Sequence, residues 1–268
     1  MSRKITGLQP DLVDAVGSLI VQARSALFIT GAGMSAESGL SVYRGISGLV
    51  RRQPDDGKKI EAALAAEMFA RKPEVTWDYL LEMDENIRAA QPTRGHEVLV
   101  ELERELPRSS IMTVNVDRLH QRAGSRNVIE MHGALHDLLC VRCEISTRTT
   151  SFASLAEIPP RCHACGGPLR PDMPLFGESL PHDPMTRLQL ELEQGFDLVI
   201  AIGVSIMLPY LARPLLLAKS EGIPTVEIGT VQTDVSDVVD FRFKGAPSRV
   251  LDLIADVVKQ LRTRPGGI

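Results

Sequence analysis

Ala26-Leu27-Phe28-Ile29-Thr30-Gly31-Ala32-Gly33 is the stretch that decides how this chain folds. Residues that suit a buried strand run straight into a glycine-rich turn. An apolar run without polar alternation is the signature of a strand covered on both faces. Upstream, Leu12, Val13, Val16, Leu19, Ile20 and Ala23 recur at helical spacing, so a helix precedes the strand. The pattern then repeats downstream. Strands are expected at 110–114, 128–131, 198–202 and 225–228, and helices near 60–71, 74–90, 98–106, 184–194, 209–221 and 248–262. This alternation predicts an α/β fold with a doubly wound parallel sheet covered by helices. Segments 45–90 and 137–172 interrupt it and read as insertions that build a smaller domain. Residues 1–44, 91–136 and 173–268 remain for the large one.

The composition excludes several classes. The 268 residues are 44% hydrophobic and 24% charged, as expected of a globular protein with a full core. Thirty-four acidic residues against 30 basic ones argue against a dedicated nucleic-acid binder. No apolar run approaches the ~18–20 residues of a membrane span. The first residues, Met1-Ser2-Arg3-Lys4-Ile5, lack the apolar stretch of a signal peptide, so a cytoplasmic location is expected.

The four cysteines form two C-x2-C pairs, Cys140 with Cys143 and Cys162 with Cys165, eighteen residues apart. That spacing fits a four-thiolate zinc site. With all four positions filled by protein, no coordination place is open to water or substrate, so the metal is structural. Acids and bases nearly balance between Asp137 and Pro171, which does not suit a ribbon that reads DNA.

In a doubly wound sheet the ligand lies beyond the carboxyl ends of the strands. The polar and glycine signals fall there: Gly31-Ala32-Gly33, then Asn115 and Asp117, His132-Gly133, Gly203-Val204-Ser205 and Gly229. A glycine turn between strand and helix lets backbone N–H groups approach a pyrophosphate. Yet the next glycine is Gly39, so the G-x-G-x-x-G pattern of hydride-transfer enzymes is absent. No acidic residue ends a second strand about 20 residues on; Tyr43-Arg44-Gly45 and a charged loop stand there instead. From the residues alone the reading reaches a dinucleotide-like ligand and a structural zinc.

The run from Gly31 to Gly39 (Gly-Ala-Gly-Met-Ser-Ala-Glu-Ser-Gly) resembles the signature of the sirtuins, the NAD-dependent protein deacylases, here of the bacterial type. So do Thr113-Val114-Asn115-Val116-Asp117, Met131-His132-Gly133, the four cysteines, Arg170-Pro171-Asp172, Phe176-Gly177-Glu178 and Gly203-Val204-Ser205, in that order. The resemblance covers about residues 10–260. It implies a Rossmann-like NAD-binding domain and a small domain made of a zinc ribbon (137–172) and a cofactor loop with a helical insertion (45–90). NAD and an acyl-lysine peptide would meet between them. Gly31, Ala32, Gly33 and Ser35 would cradle the phosphates. Tyr43 and Arg44 would flank the cofactor, with Arg44 near the phosphates and the nicotinamide ribose. Val114, Asn115, Val116 and Asp117 would face the nicotinamide half, and Gly203, Val204, Ser205 and Gly229 the adenosine half. Phe176-Gly177-Glu178 would flank the substrate peptide.

His132 is the expected catalytic base, with Asn115 and Asp117 completing the catalytic set. An imidazole of near-neutral pKa suits the activation of a ribose hydroxyl. The implied products are free lysine, nicotinamide and O-acyl-ADP-ribose. His96, His120, His136, His163 and His182 read as packed or solvated residues.

Several positions depart from the family pattern, among them Leu49-Val50, where Leu-Trp is usual, and Pro174, which removes a backbone donor just before the substrate strand. Val114 stands where Gln is usual, Val204 where Thr is usual and Gly229 where Asn is usual; each lost hydrogen bond costs ~0.5–1.5 kcal/mol. Two other functions therefore stay open at this point: an NAD glycohydrolase or ADP-ribosyltransferase, and a catalytically weak NAD-binding protein. Some sirtuins that remove acidic acyl groups carry a Tyr-x-x-Arg pair in the helix after the cofactor loop. The matching positions here are Leu80 and Met83, so an apolar acyl pocket is expected.

Overall fold

The computed structural model describes residues 5–6, 9–40, 57–205 and 207–263. Tyr43, Arg44 and most of the expected cofactor loop lie outside the described residues.

The strand expected at 26–30 is β2 (Ser25–Thr30), and it lies in the middle of a seven-stranded sheet. On one side follow β3 (Arg108–Thr113) and β4 (Val128–Glu130). On the other follow β8 (Leu198–Ile202), β9 (Thr225–Gly229), β10 (Phe241–Lys244) and β1 (Ile5–Thr6). All neighbours are parallel. Period-two alternation sends Ala26 and Phe28 to one face and Leu27 and Ile29 to the other, and both faces are covered. Helices α1 (Pro10–Gln22), α6 (Arg94–Glu105) and α10 (Pro247–Thr263) pack on the first face. Helices α8 (His182–Glu193) and α9 (Pro209–Ser220) pack on the second. The sheet's winding reverses between β2 and β8, so the crevice falls at the carboxyl ends of those two strands.

The two interruptions share one core. Helices α3 (Gly57–Ala63), α4 (Ala66–Arg71) and α5 (Pro73–Ala89) pack against a three-stranded antiparallel sheet. Its strands are β5 (Ala134–Cys140), β6 (Ser146–Arg148) and β7 (Leu169–Asp172). Trp77, Leu80 and Met83 of α5 are buried among Leu135, Leu138, Phe152 and Leu169 of the ribbon. The indole of Trp77 donates to the Leu169 carbonyl at 3.3 Å. Asp84, buried on the same helix, accepts from Arg88 and Ser151 and hydrogen-bonds His136. Neither insertion closes a core by itself; together they form one small lobe.

Outside the ribbon, three of the described elements have no counterpart in the sequence reading, and a fourth is shorter than expected. β1 is two residues long. β10 alternates Phe241 and Phe243 with Arg242 and Lys244 and looks like surface, yet the Arg242 guanidinium donates to buried Glu227 of β9 at 2.9 Å. α7 (Leu119–Ala123) is a short helix behind Asp117. The helix after the glycine turn, α2 (Ala32–Ser35), is a single turn. The expected helix N-terminus facing a pyrophosphate is therefore too short to carry a strong dipole.

Candidate active site at the sheet edge

The glycine turn is built against a second glycine turn. The Gly33 N–H donates to the Gly203 carbonyl at 2.8 Å, and the Gly31 N–H to the Ile202 carbonyl at 3.2 Å. Gly203 adopts φ 63°, and a Cβ there would lie 2.4 Å from the Met34 nitrogen. No other residue fits, because the backbones of the two turns touch. The Met34 N–H is bonded to the Gly31 carbonyl. The glycines thus serve strand-end packing, and three loop N–H groups are already spent on backbone carbonyls. Val204 packs beneath this contact, with its Cα 3.1 Å from where a Gly31 Cβ would be. Ser205 follows at the same edge, half-buried. Gly229 ends β9 with open space above it, so nothing in the fold keeps a larger side chain out.

A hydrogen-bonded cluster spans the ends of β2 and β3. The Asn115 amide donates to the Gly31 carbonyl and to Ser35 Oγ, both at 3.1 Å. Ser35 Oγ in turn donates to Asp117 Oδ2 at 2.7 Å. The other Asp117 oxygen accepts the Leu119 N–H at 2.9 Å, which anchors the turn into α7. Full burial pushes the Asp117 carboxyl up, against the hydrogen bonds from Leu119 and Ser35 that favour its charged form. Val116 is placed differently. Its side chain is buried in the small-lobe core and its carbonyl accepts from the Leu135 N–H. It joins the two lobes and offers no side chain to the cleft.

His132 sits one residue beyond Met131, whose N–H donates to the Thr113 carbonyl at 2.8 Å; this sets the imidazole beside the Val114 backbone. Desolvation holds its pKa below the usual histidine value, partly offset by a hydrogen bond to the Val114 backbone. A hydrogen bond that supports the charged ring must run from ring N–H to carbonyl. The other nitrogen, Nε2, lies 2.7 Å from the Tyr210 hydroxyl. Gly133 follows at φ 61°, and a Cβ there would lie 2.0 Å from the Asp172 carbonyl. This contact clamps the start of the ribbon to the sheet edge.

Tyr210 is the site residue the sequence reading missed. It lies 78 residues from His132 and no local pattern connects them. The other histidines are packed or solvated as expected. His96 closes the capping box of α6 with Thr93, and His120 pairs with Thr30 at 2.9 Å; both are buried. His136 pairs with Asp84, while His163 and His182 are exposed.

Phe176-Gly177-Glu178 differs in detail from the expected open edge. The Phe176 N–H donates to the Leu64 carbonyl at 3.0 Å, and its own carbonyl accepts from Ala66 at 3.1 Å. The Glu178 carboxylate is clamped by both Arg170 guanidinium nitrogens at 2.6 Å and by the Leu175 N–H. Phe176 and Glu178 therefore shape the segment, with Gly177 exposed between them.

The four thiols converge at the tip of the ribbon, with all sulfurs within 4.8 Å of one another. Separations of 3.5 Å (Cys140–Cys165), 3.7 Å (Cys143–Cys162) and 3.4 Å (Cys143–Cys165) match the edge of about 3.8 Å that four Zn–S bonds of about 2.3 Å produce. The Arg142 and Gly167 N–H groups point at Cys140 and Cys165, as suits thiolates. The donor set fits one structural zinc. β5 runs from Ala134 to Cys140, so the metal lies about 20 Å along the chain from His132.

Comparison with known proteins agrees with this geometry. A family profile described as Sir2 family matches residues 31–209. NAD-dependent protein deacylase 2 of Pseudomonas aeruginosa is 38% identical over 251 residues, covering 93% of this chain and 97% of that protein. NAD-dependent protein deacylase of Aquifex aeolicus is 38% identical over 232 residues, 87% of this chain and 94% of that one. Among solved structures, a Sir2 homologue bound to NAD superposes with a TM-score of 0.83 at 33% identity, covering 96% of both chains. A mutant Sir2 homologue bound to ADP ribose gives 0.83 at 34% identity, covering 94% of this chain and 99% of the other. With two glycine turns locked at the switch point, a histidine at the next strand end and four thiols set for one zinc, the chain belongs to the Sir2 family.

Proposed function

We infer that this chain is an NAD-dependent protein deacylase that takes an acyl group from a lysine side chain. NAD supplies an activated ribose from which nicotinamide can leave and to which the acyl group passes. The observation that carries the reading is the Gly31–Ser35–Asn115–Asp117 network at the carboxyl ends of β2 and β3, on the same edge of the sheet as His132 after β4.

Each residue then has a task. The 31–35 turn and Gly203-Val204-Ser205 would hold the phosphates and the adenosine half, with Tyr43 among the cofactor-binding residues and Arg44 near the phosphates and the nicotinamide ribose. Asn115, fixed by Gly31 and Ser35, would orient the nicotinamide ribose. Asp117, fixed by Ser35 and Leu119, would keep one lone pair for the nicotinamide carboxamide. The lowered pKa of His132 keeps its ring neutral at pH 7, the form that accepts a proton. His132 Nε2 would take the proton of a ribose hydroxyl, which frees that oxygen to accept the acyl group as the lysine amine departs.

A mutant Sir2 has been solved with a deacetylated p53 peptide and 3′-O-acetyl ADP ribose. By analogy the substrate peptide would lie between the Phe176-Gly177-Glu178 segment and the 207–210 segment, pairing through Gly177. Leu80 and Met83 are fully buried in the small-lobe core, so neither position offers a partner for an acyl carboxylate. Residues 1–44, 91–136 and 173–268 would form the NAD domain, with 45–90 and 137–172 as the small one. A reducing compartment such as the cytoplasm suits four thiols reserved for a metal.

The test is product balance. With NAD and an acetyl-lysine peptide, one O-acetyl-ADP-ribose should form for each nicotinamide. Nicotinamide formed without acyl transfer would make the protein a glycohydrolase instead.

A further inference from the structure

Tyr210 stands where His132 must work. Its hydroxyl is 2.7 Å from Nε2, and the ring opens the first turn of α9, directly after the 207–209 segment. We propose that Tyr210 is a positioning residue that occupies the base in the free enzyme. Its hydroxyl donates to His132 Nε2 and has to give up that lone pair before the ribose hydroxyl can use it. This rests on the reading of His132 as the base.

The argument is one of valence. With Nε2 facing the Tyr210 hydroxyl and the Val114 backbone favouring the charged ring, we assign the proton of the neutral ring to Nδ1 and the lone pair to Nε2. One lone pair serves one donor at a time. A hydroxyl that loses its proton to His132 must be that donor. In the free enzyme the donor is Tyr210. Burial pushes the phenol up to about 12, so at neutral pH it is a protonated donor and not a second base. Tyr210 thereby holds the imidazole in the tautomer that catalysis needs and shields it from solvent until the ribose arrives. Leu208, two residues before Tyr210, is exposed on the segment proposed to flank the peptide. A peptide seated there is close in sequence to the residue that has to move.

Tyr210→Phe keeps the ring and removes only the hydroxyl. Two readouts on the full chain test the proposal. In the ligand-free protein, the 15N resonance of His132 Nε2 should move toward that of an unbonded pyridine-type nitrogen. By calorimetry, NAD should bind about two- to tenfold more tightly, the worth of one competing hydrogen bond no longer broken. An unchanged Nε2 resonance, or NAD affinity that is unchanged or weaker, overturns the proposal. So does a hundredfold loss of kcat, which would make the hydroxyl an obligatory proton relay. His132→Ala separates the two claims: turnover surviving in that variant removes the base itself, whereas the resonance reports the Tyr210–His132 bond whatever the base is.

Discussion

At the carboxyl edge of the large sheet the chain meets itself backbone to backbone. Gly31 and Gly33 lie against Gly203, and Gly133 against Asp172, with no room for a single extra carbon. At the tip of the ribbon, four side chains meet around a space sized for a metal. The edge is rigid because a two-sided apolar sheet lies beneath it; every residue of β8 and β9 is buried. The small lobe has no such foundation. Its core is shared between two insertions that arrive from separate parts of the chain, and β6 is exposed along its whole length. Chemistry is placed on the part that holds itself together, and metal is used on the part that does not.

The largest expected effect tests the metal half of that contrast. Structural zinc binding in small zinc peptides is worth on the order of 10 kcal/mol. Cys140→Ser should therefore lower solubility and Tm sharply, with limited proteolysis cutting first within 57–89 and 137–172. A soluble, fully active, zinc-free Cys140→Ser protein would break the comparison.

Acid should attack the other half. His96 and His120 are buried neutral, with pKa values lowered to about 4 and about 3. The unfolded chain binds protons near pH 6.5 and the folded one does not, so stability falls as pH drops below about 6.5. Between pH 7.5 and 5 each histidine should cost about 2 kcal/mol. Urea unfolding at the two values, at saturating zinc, should show a loss that His120→Gln roughly halves. Equal losses in both proteins would clear His120 of this role.

Next in size is Gly203→Ala. Overpacking plus a left-handed non-glycine residue should destabilise by about 3 kcal/mol. Calorimetry should show the lowered Tm, and a Tm within a degree of wild type would mean that the two turns are not in real contact.

The smallest effect concerns the acyl group. An unpaired carboxylate buried against Leu80 and Met83 needs to cost only about 2.8 kcal/mol to give a hundredfold discrimination. Acetyl- and butyryl-lysine peptides should therefore exceed succinyl-lysine about a hundredfold in kcat/KM. Succinyl equal to acetyl would show that these side chains do not form the pocket wall.

Much of this molecule was legible before its structure. The buried strands announce themselves as apolar runs, and the cysteine spacing allows little besides a metal. The converging strand ends at Gly31, Asn115, His132 and Gly203 follow from topology once the alternation is recognised. What stayed hidden had physical reasons. β10 disguises itself because its charge is neutralised by Glu227, a partner on another strand. The glycines look like a phosphate loop alone, yet much of their necessity is contact between two turns 170 residues apart. Val116 reads as a cofactor neighbour and is a core residue of the other lobe. Tyr210 was invisible because nothing in a linear pattern pairs a helix-opening tyrosine with a distant histidine.

The most direct measurement takes His132→Ala and reads two quantities from one preparation: nicotinamide release with NAD and an acetyl-lysine peptide, and NAD affinity by calorimetry. The account requires release to fall by about 10²–10⁴ while NAD affinity stays within about threefold, because the contact that the ribose loses is offset by the Tyr210 bond that no longer has to break. Turnover near wild type would contradict the account and move the chemistry away from this edge of the sheet.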